Sequence, residues 1–283
     1  MTSTVAEVVG LLTLEEIAPD TFRGPQPDED RQRVFGGQVA AQALMAASHT
    51  VQGRVPHSLH GYFLRPGNPT VPIVYTVDCL RDGGAFSARR ITATQDGTAV
   101  FEALVSFSAH ISGIDYQEQM PAVPQPDSLV RIEAQLAPYA DEYDGWWIRR
   151  RPFDMRYVNA PPRVALDLDV APPPQSRLWL RPDGEVPNDP IVNSCLLTFV
   201  SDLTLLDSVM LPARKTSRGP GIVASLDHAI WFHRSANFSD WLLYEQHSPN
   251  GTGGRGLASG RIFNRSGVLV ATVMQEGYLG KGT

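Results

Sequence analysis

Three polar side chains, Asp202, Ser225 and Gln275, stand at positions where the second half of this chain should be apolar or inward-facing. Asp202 interrupts the most apolar helical stretch, residues 191–211, and at helical spacing it shares one stripe with Cys195, Phe199 and Leu206. An unpaired charge taken out of water is costly or changes its pKa, so Asp202 is either a satisfied structural group or part of a working site. Asp207 lies on the opposite shoulder of the same face, and helix geometry alone does not choose between the two acids. By strand alternation Gln275 shares a face with Leu269, Ala271 and Val273, which predicts an amide entering the interior beneath the helix. Carboxylate, hydroxyl and amide together can hold one water. The carboxylate would take its proton while the other two fix its position, which is general-base hydrolysis without a covalent intermediate. The same trio also reads as a buried hydrogen-bond network that only specifies the core.

Other chemistries find less support. A Ser-His-Asp hydrolase of the nucleophile-elbow type needs Gly-x-Ser-x-Gly at a strand-to-helix turn, and that pattern is absent. Gly36-Gly37 before a helix can present backbone amides to an oxyanion or simply open the helix, but it is neither a P-loop nor a dinucleotide fingerprint. His57, His60, His228 and His233 lie in strand patterns without the clustered spacing of a metal site, and read as core or rim histidines. Asp227 beside His228 suggests an acid–base pair, yet neighbours on a strand point to opposite faces, so the pair reads as structural. Arg65, Arg89, Arg90 and Arg234 read as exposed groups that either meet the phosphates of a large anion or edge the strands.

The elements that must position these residues come in two similar sets. In the first half a strand pattern at residues 12–17 and 21–23 leads to an alanine-rich helix at 37–47. Strands follow at 57–65, 72–81, 86–94 and 99–107, the last two joined by the hairpin turn Gln95-Asp-Gly-Thr98. The second half repeats the order: strands at 153–158 and 177–181, the Asp202 helix, then strands at 222–234, 241–247, 255–263 and 268–275. A proline- and acid-rich stretch between them reads as a crossing linker, which suggests an internal duplication. The expected division is an N-terminal unit at 1–115, a linker at 116–148 and a C-terminal unit at 149–283 carrying the polar trio. Small residues at Ala40, Ala41, Ala43, Ala46 and Ala47 let a sheet wrap closely around the first helix. The fold class expected is therefore α+β, a double hotdog of two tandem repeats, each an antiparallel sheet wrapped around a central helix; an ordinary two-layer sandwich is the alternative.

Composition narrows the classes further. A net charge of -6, with Arg149-Arg150-Arg151 as its basic run, argues against a general nucleic-acid binder. Cys79 and Cys195 are too few for a disulfide framework, and both lie in apolar segments that predict buried thiols in a reducing compartment. No uninterrupted apolar run is read as long enough to span a bilayer, and the N-terminal residues lack a signal-peptide pattern, so a soluble intracellular protein is expected.

Several long motifs carry a family resemblance: Val34-Phe-Gly-Gly-Gln-Val-Ala-Ala-Gln-Ala-Leu44, His57-Ser-Leu-His-Gly-Tyr-Phe-Leu-Arg-Pro-Gly67, Leu80-Arg-Asp-Gly-Gly-Ala-Phe-Ser-Ala-Arg-Arg90, Ser225-Leu-Asp-His-Ala-Ile-Trp-Phe-His-Arg234 and Gln275-Glu-Gly277. In this order, over nearly the whole length, they resemble the acyl-CoA thioesterase II family, the double-hotdog thioesterases of bacteria and peroxisomes. The resemblance implies hydrolysis of fatty acyl-CoA to free fatty acid and coenzyme A, with Asp202, Ser225 and Gln275 as the catalytic constellation and no metal or cofactor. Serine stands where threonine is the family's other choice, keeping the hydroxyl and losing a methyl group. The first half carries no matching set, since Phe107 falls where the second half has Gln275. One constellation per chain is expected, with oxyanion donors near Gly36-Gly37. The resemblance also implies a homo-oligomer, and a C-terminus unlike the peroxisomal Ser-Lys-Leu address fits a cytoplasmic enzyme. Two rivals stay open: a hotdog enoyl-CoA hydratase or dehydratase, for which the histidine motif is missing, and a non-catalytic acyl-CoA-binding protein.

Overall fold

A computed structural model of the chain describes residues 4–27 and 32–280. The first half runs α1 (Val5–Leu11), β1 (Glu15–Ala18), β2 (Thr21–Gly24), α2 (Gly36–His49), β3 (Val55–Phe63), β4 (Ile73–Asp82), β5 (Phe86–Gln95) and β6 (Thr98–Ser108). A short α3 (Ile132–Leu136) and 3-10 turns lead to the second half. It runs β7 (Phe153–Tyr157), α4 (Pro162–Ala165), β8 (Gln175–Pro182), α5 (Pro190–Thr204), α6 (Asp207–Met210), β9 (Ile222–Ser225), β10 (Asp227–Phe232), β11 (Leu242–Thr252), β12 (Arg255–Asn264) and β13 (Leu269–Gly280).

These strands form one 13-stranded sheet in the order β1-β2-β4-β5-β6-β3-β10-β13-β12-β11-β8-β7, with β9 pairing β13 off that path. The seam is the antiparallel β3–β10 pair, where His228 lies opposite Gly61. Outward from the seam the order is β3-β6-β5-β4-β2-β1 on one side and β10-β13-β12-β11-β8-β7 on the other, the same arrangement twice. Each half is an antiparallel sheet curled around one long helix, and the two helices, α2 and α5, pack against each other. This is the double hotdog. Within it the β5–β6 hairpin turns at Asp96 and Gly97, both at positive φ (47° and 74°), the backbone that an Asp-Gly pair adopts readily.

Composition explains the packing of α2. Residues 37–47 are all buried, and alanine, with no side chain beyond Cβ, lets the sheet close on the helix from both flanks. Gln38 and Gln42 are the polar exceptions; Gln38 Nε2 donates to Gln26 Oε1 at 3.0 Å, and for Gln42 Tyr75 Oη donates to Oε1 at 2.7 Å, while Nε2 donates to Leu11 O at 2.8 Å and Pro25 O at 2.9 Å. Helix α5 begins where Asp189 accepts from the amides of Ile191 and Val192 at 2.8 and 2.9 Å, with Pro190 in the first turn.

Four readings from sequence change here. The capped helix α1 precedes the first strand pair, and β1 is exposed along its whole length. The acid- and proline-rich stretch does more than connect, because Ile132, Leu136 and Trp147 join the main core. Residues Pro190–Met210 do reach the length of a membrane-crossing helix, with a mean hydropathy of 1.3. However, 67% of that window is buried inside the fold, which accounts for its apolar character. Cys195 is buried, as expected, but Cys79 is exposed. A β-bulge between Cys79 and Arg81 and the exposed end of β4 carry it away from the core.

Candidate active site

Helix α5 reaches the first half at its C-terminal end, where Phe199 and Asp202 face the start of α2. The approach is so close that a Cβ on Gly37 would lie 2.6 Å from Phe199 O, and one on Gly36 would lie 2.9 Å from Asp202 Oδ2. Only glycine leaves room for the two backbones there. The Asp202 side chain is 4% exposed. Gln275 Nε2 donates to its Oδ1 at 2.5 Å and Ser225 Oγ donates to the same oxygen at 3.4 Å. The Gly37 amide at the N-terminus of α2 adds a third donor, at the end of a helix that favours negative charge. Burial pushes the Asp202 carboxyl up to about 6, against the pull of Gln275, Gly37 and Ser225. At neutral pH it is thus ionised, yet far more basic than a solvated carboxylate.

The three residues named from sequence therefore meet at one oxygen. Gln275 points inward from β13 with Ala271 and Val273, all at 1% exposure or less. The Gln275 Oε1 is buried without a hydrogen-bond partner among the described residues, and so keeps its acceptor capacity. Asp207 divides from Asp202 by environment. It accepts from Tyr157 Oη at 2.5 Å and lines a separate cavity of about 120 Å³ with Leu136, Trp147 and Leu203. Burial pushes the Asp207 carboxyl up to about 7.

Sequence reasoning missed a fourth neighbour, His228, whose Nδ1 is 3.9 Å from Asp202 Oδ1. Strict alternation would put Ser225 and His228 on opposite faces, but β9 and β10 are offset around Leu226. Ser225 pairs with Gly277, whereas Ala229 pairs with Met274, so one extra residue is accommodated between the two registers. The Asp227 carboxylate caps this bulge by accepting from the Glu276 amide at 2.6 Å. Asp227 is structural, as its position beside His228 suggested. The bulge turns Ser225 and the fully buried His228 toward the same acid.

The remaining candidates are occupied elsewhere. The Gly37 amide, read as an oxyanion donor, instead serves Asp202. Arg89, read as exposed, is 2% exposed and donates to Thr50 Oγ1 at 2.8 Å and Asp82 Oδ1 at 2.9 Å. Arg90 pairs with Asp78, Arg65 donates to Ala99 O and Arg234 pairs with Asp115. His57 and His233 bond Ser106 and Thr272, and His60 packs edge-on against Trp231.

Two antiparallel sheets, each curled around one long helix, place the chain in the double-hotdog class. The family model described as "Acyl-CoA thioesterase" matches residues 154–278, and "Acyl-CoA thioesterase N-terminal domain" matches residues 25–108. The chain is 36% identical over 287 residues to Acyl-CoA thioesterase 2 of Haemophilus influenzae, covering 99% of each. It is 34% identical over 290 residues to human acyl-coenzyme A thioesterase 8, covering 96% of this chain and 88% of that one. Among solved structures, a tesB protein of Mycobacterium avium subs paratuberculosis superposes with a TM-score of 0.82 at 38% identity, covering 98% of this chain and 99% of that one. The chain belongs to the acyl-CoA thioesterase family and is a thioester hydrolase acting on acyl-CoA.

Proposed function

We propose that Asp202 is the general base of this hydrolysis and that Ser225 and Gln275 position the attacking water. The observation that carries the reading is the convergence of Gln275 Nε2 and Ser225 Oγ, from two strands, on Oδ1 of an acid buried at a helix–helix contact. Asp202 takes one proton from the water as its oxygen attacks the thioester carbonyl carbon, and Gln275 Oε1 accepts a hydrogen bond from the other. The tetrahedral oxyanion collapses and expels coenzyme A as thiolate, a good leaving group. The proton held by Asp202 then returns to thiolate or solvent, so that acyl-CoA and water give fatty acid and coenzyme A. A base near 6 suits this work, since it is ionised at neutral pH and still accepts a proton.

The same reading assigns the enzyme to fatty-acid and lipid metabolism in the cytoplasm, as a homo-oligomer. It also divides the chain at 1–115, 116–148 and 149–283, with the polar trio in the last unit. Free-thiol release from short- to long-chain acyl-CoAs, wild type against Asp202→Asn, tests the catalytic assignment. A general base of this kind contributes about 10²- to 10⁴-fold, and the variant should lose that much. Turnover unchanged in a folded Asp202→Asn protein would remove Asp202 from the mechanism.

A further inference from the structure

We infer that His228 is a positioning residue for Asp202: held as the neutral tautomer protonated on Nε2, it turns a bare Nδ1 toward the carboxylate and raises its affinity for a proton. This rests on the reading of Asp202 as the base and adds the device that makes it one. The Ser201 hydroxyl is the partner that selects the tautomer in this inference. Its Oγ lies 2.9 Å from Thr198 O and 2.9 Å from His228 Nε2. With the hydroxyl hydrogen directed to Thr198 O, Ser201 accepts from the ring N–H, and this is the arrangement we infer. In a neutral imidazole the other nitrogen then carries a lone pair.

That nitrogen, Nδ1, is buried with no hydrogen-bond partner among the described residues, 3.9 Å from Asp202 Oδ1. Its orientation answers a problem set by the other contacts. Gln275, Ser225 and Gly37 all donate to Asp202, and donors stabilise the carboxylate against protonation. Each of these donors lowers the affinity of the acid for a proton. Nδ1 acts in the opposite sense: its lone pair repels the carboxylate, and it accepts from the carboxylic acid after about 1 Å of closure to hydrogen-bonding distance. Both effects favour the protonated acid. Burial pulls His228 down to about 4, so the ring remains neutral across the working range.

The other titratable groups packed around the pair are few. Tyr244 of β11 donates to Ser201 O at 2.8 Å, Asp207 is engaged by Tyr157, and Asp227 and Glu276 belong to the bulge of β10 and β13. Gly36 and Gly37 of α2 and Phe63 of β3 bring no ionisable group.

The test reads the tautomer and the pH profile together. Imidazole ¹⁵N spectra of the wild-type protein, with His228 assigned through His228→Asn, should show Nε2 protonated and Nδ1 bare from about pH 5 to 9. Ser201→Ala frees the ring to present Nδ1–H to Asp202. The acid limb of kcat/KM should then move down by about one pH unit and kcat should fall about tenfold with little change in KM. Ser201→Thr keeps the hydroxyl and should keep the wild-type profile. A proton found on Nδ1 in the wild type overturns the inference, as does an unmoved acid limb in folded Ser201→Ala. Failure of the underlying reading appears separately, as unchanged turnover in Asp202→Asn.

Discussion

Replacing Asp207 by asparagine should stabilise the protein, and the gain should grow with pH. The acid accepts one hydrogen bond, from Tyr157 Oη at 2.5 Å, and an asparagine carbonyl can accept the same bond in the same volume. Burial raises its pKa from 3.8 in water to about 7 in the fold. A carboxyl raised on folding holds its proton more tightly in the native state than in the unfolded chain. Its contribution to stability is therefore complete below about pH 4 and lost as pH rises through about 7. At about 1.4 kcal/mol per pH unit, the penalty in wild type is of order 4 kcal/mol above pH 7, and under about 1 kcal/mol at pH 4. The neutral amide carries no such penalty. Urea midpoints of the two proteins, followed by tryptophan fluorescence at equal concentration, should nearly coincide at pH 4 and separate steadily to pH 8. Hydrolysis should persist in the variant, which would set Asp207 apart from Asp202. A separation that does not change with pH, or a less stable variant at pH 8, would refute the account of Asp207 as an acid held against burial by one phenol.

Further outcomes follow from the same geometry. With Asp202 raised to about 6, the proposed base is protonated below that value, so kcat/KM should fall about tenfold per unit below pH 6. A profile flat to pH 5 would contradict this. Gly37→Ala places a methyl group 2.6 Å from the backbone oxygen of Phe199, which cannot swing aside. The α2–α5 contact must open, and both Tm and turnover should drop in paired unfolding and thiol-release measurements. Cys79 is exposed, whereas Cys195 is buried and its thiol is pushed up by burial, so a native thiol titration should label Cys79 alone within minutes. Rapid labelling of Cys195 would mean that α5 opens readily.

Much of the fold was legible because its signals are local. The alanine stripe of α2, the Asp-Gly turn at Asp96-Gly97 and the alternation along β13 each depend on neighbours within a few residues. The aspartate in an apolar stripe was legible for the same reason. His228 was not, since finding it required the register offset around Leu226, and register depends on which strand lies alongside rather than on the strand's own pattern. Arg89 read as exposed because a guanidinium on a strand usually is. Its burial depends on Thr50 at the end of α2 and Asp82 at the end of β4, a coincidence of distant segments. Cys79 failed in the opposite direction, through a bulge in a strand read as an apolar segment.

The duplication is structural, whereas the chemistry proposed for it is not duplicated. In the second half β13 offers Gln275 to the interior; in the first, β6 offers Phe107, fully buried and without polar atoms. Yet the first half is more than a scaffold for the second. Gly36 and Gly37 of α2 let Asp202 approach, the Gly37 amide holds its charge, and Phe63 of β3 lies beside Gly36 at the same contact. The β3–β10 seam fixes His228 opposite Gly61. Asp202 thus takes its hydrogen-bond donors from both halves of the chain, and a C-terminal half alone would leave that acid without its helix N-terminus and facing water. Solvation would then return its pKa toward 3.8, and the proposed base would weaken before any residue of the polar trio was lost.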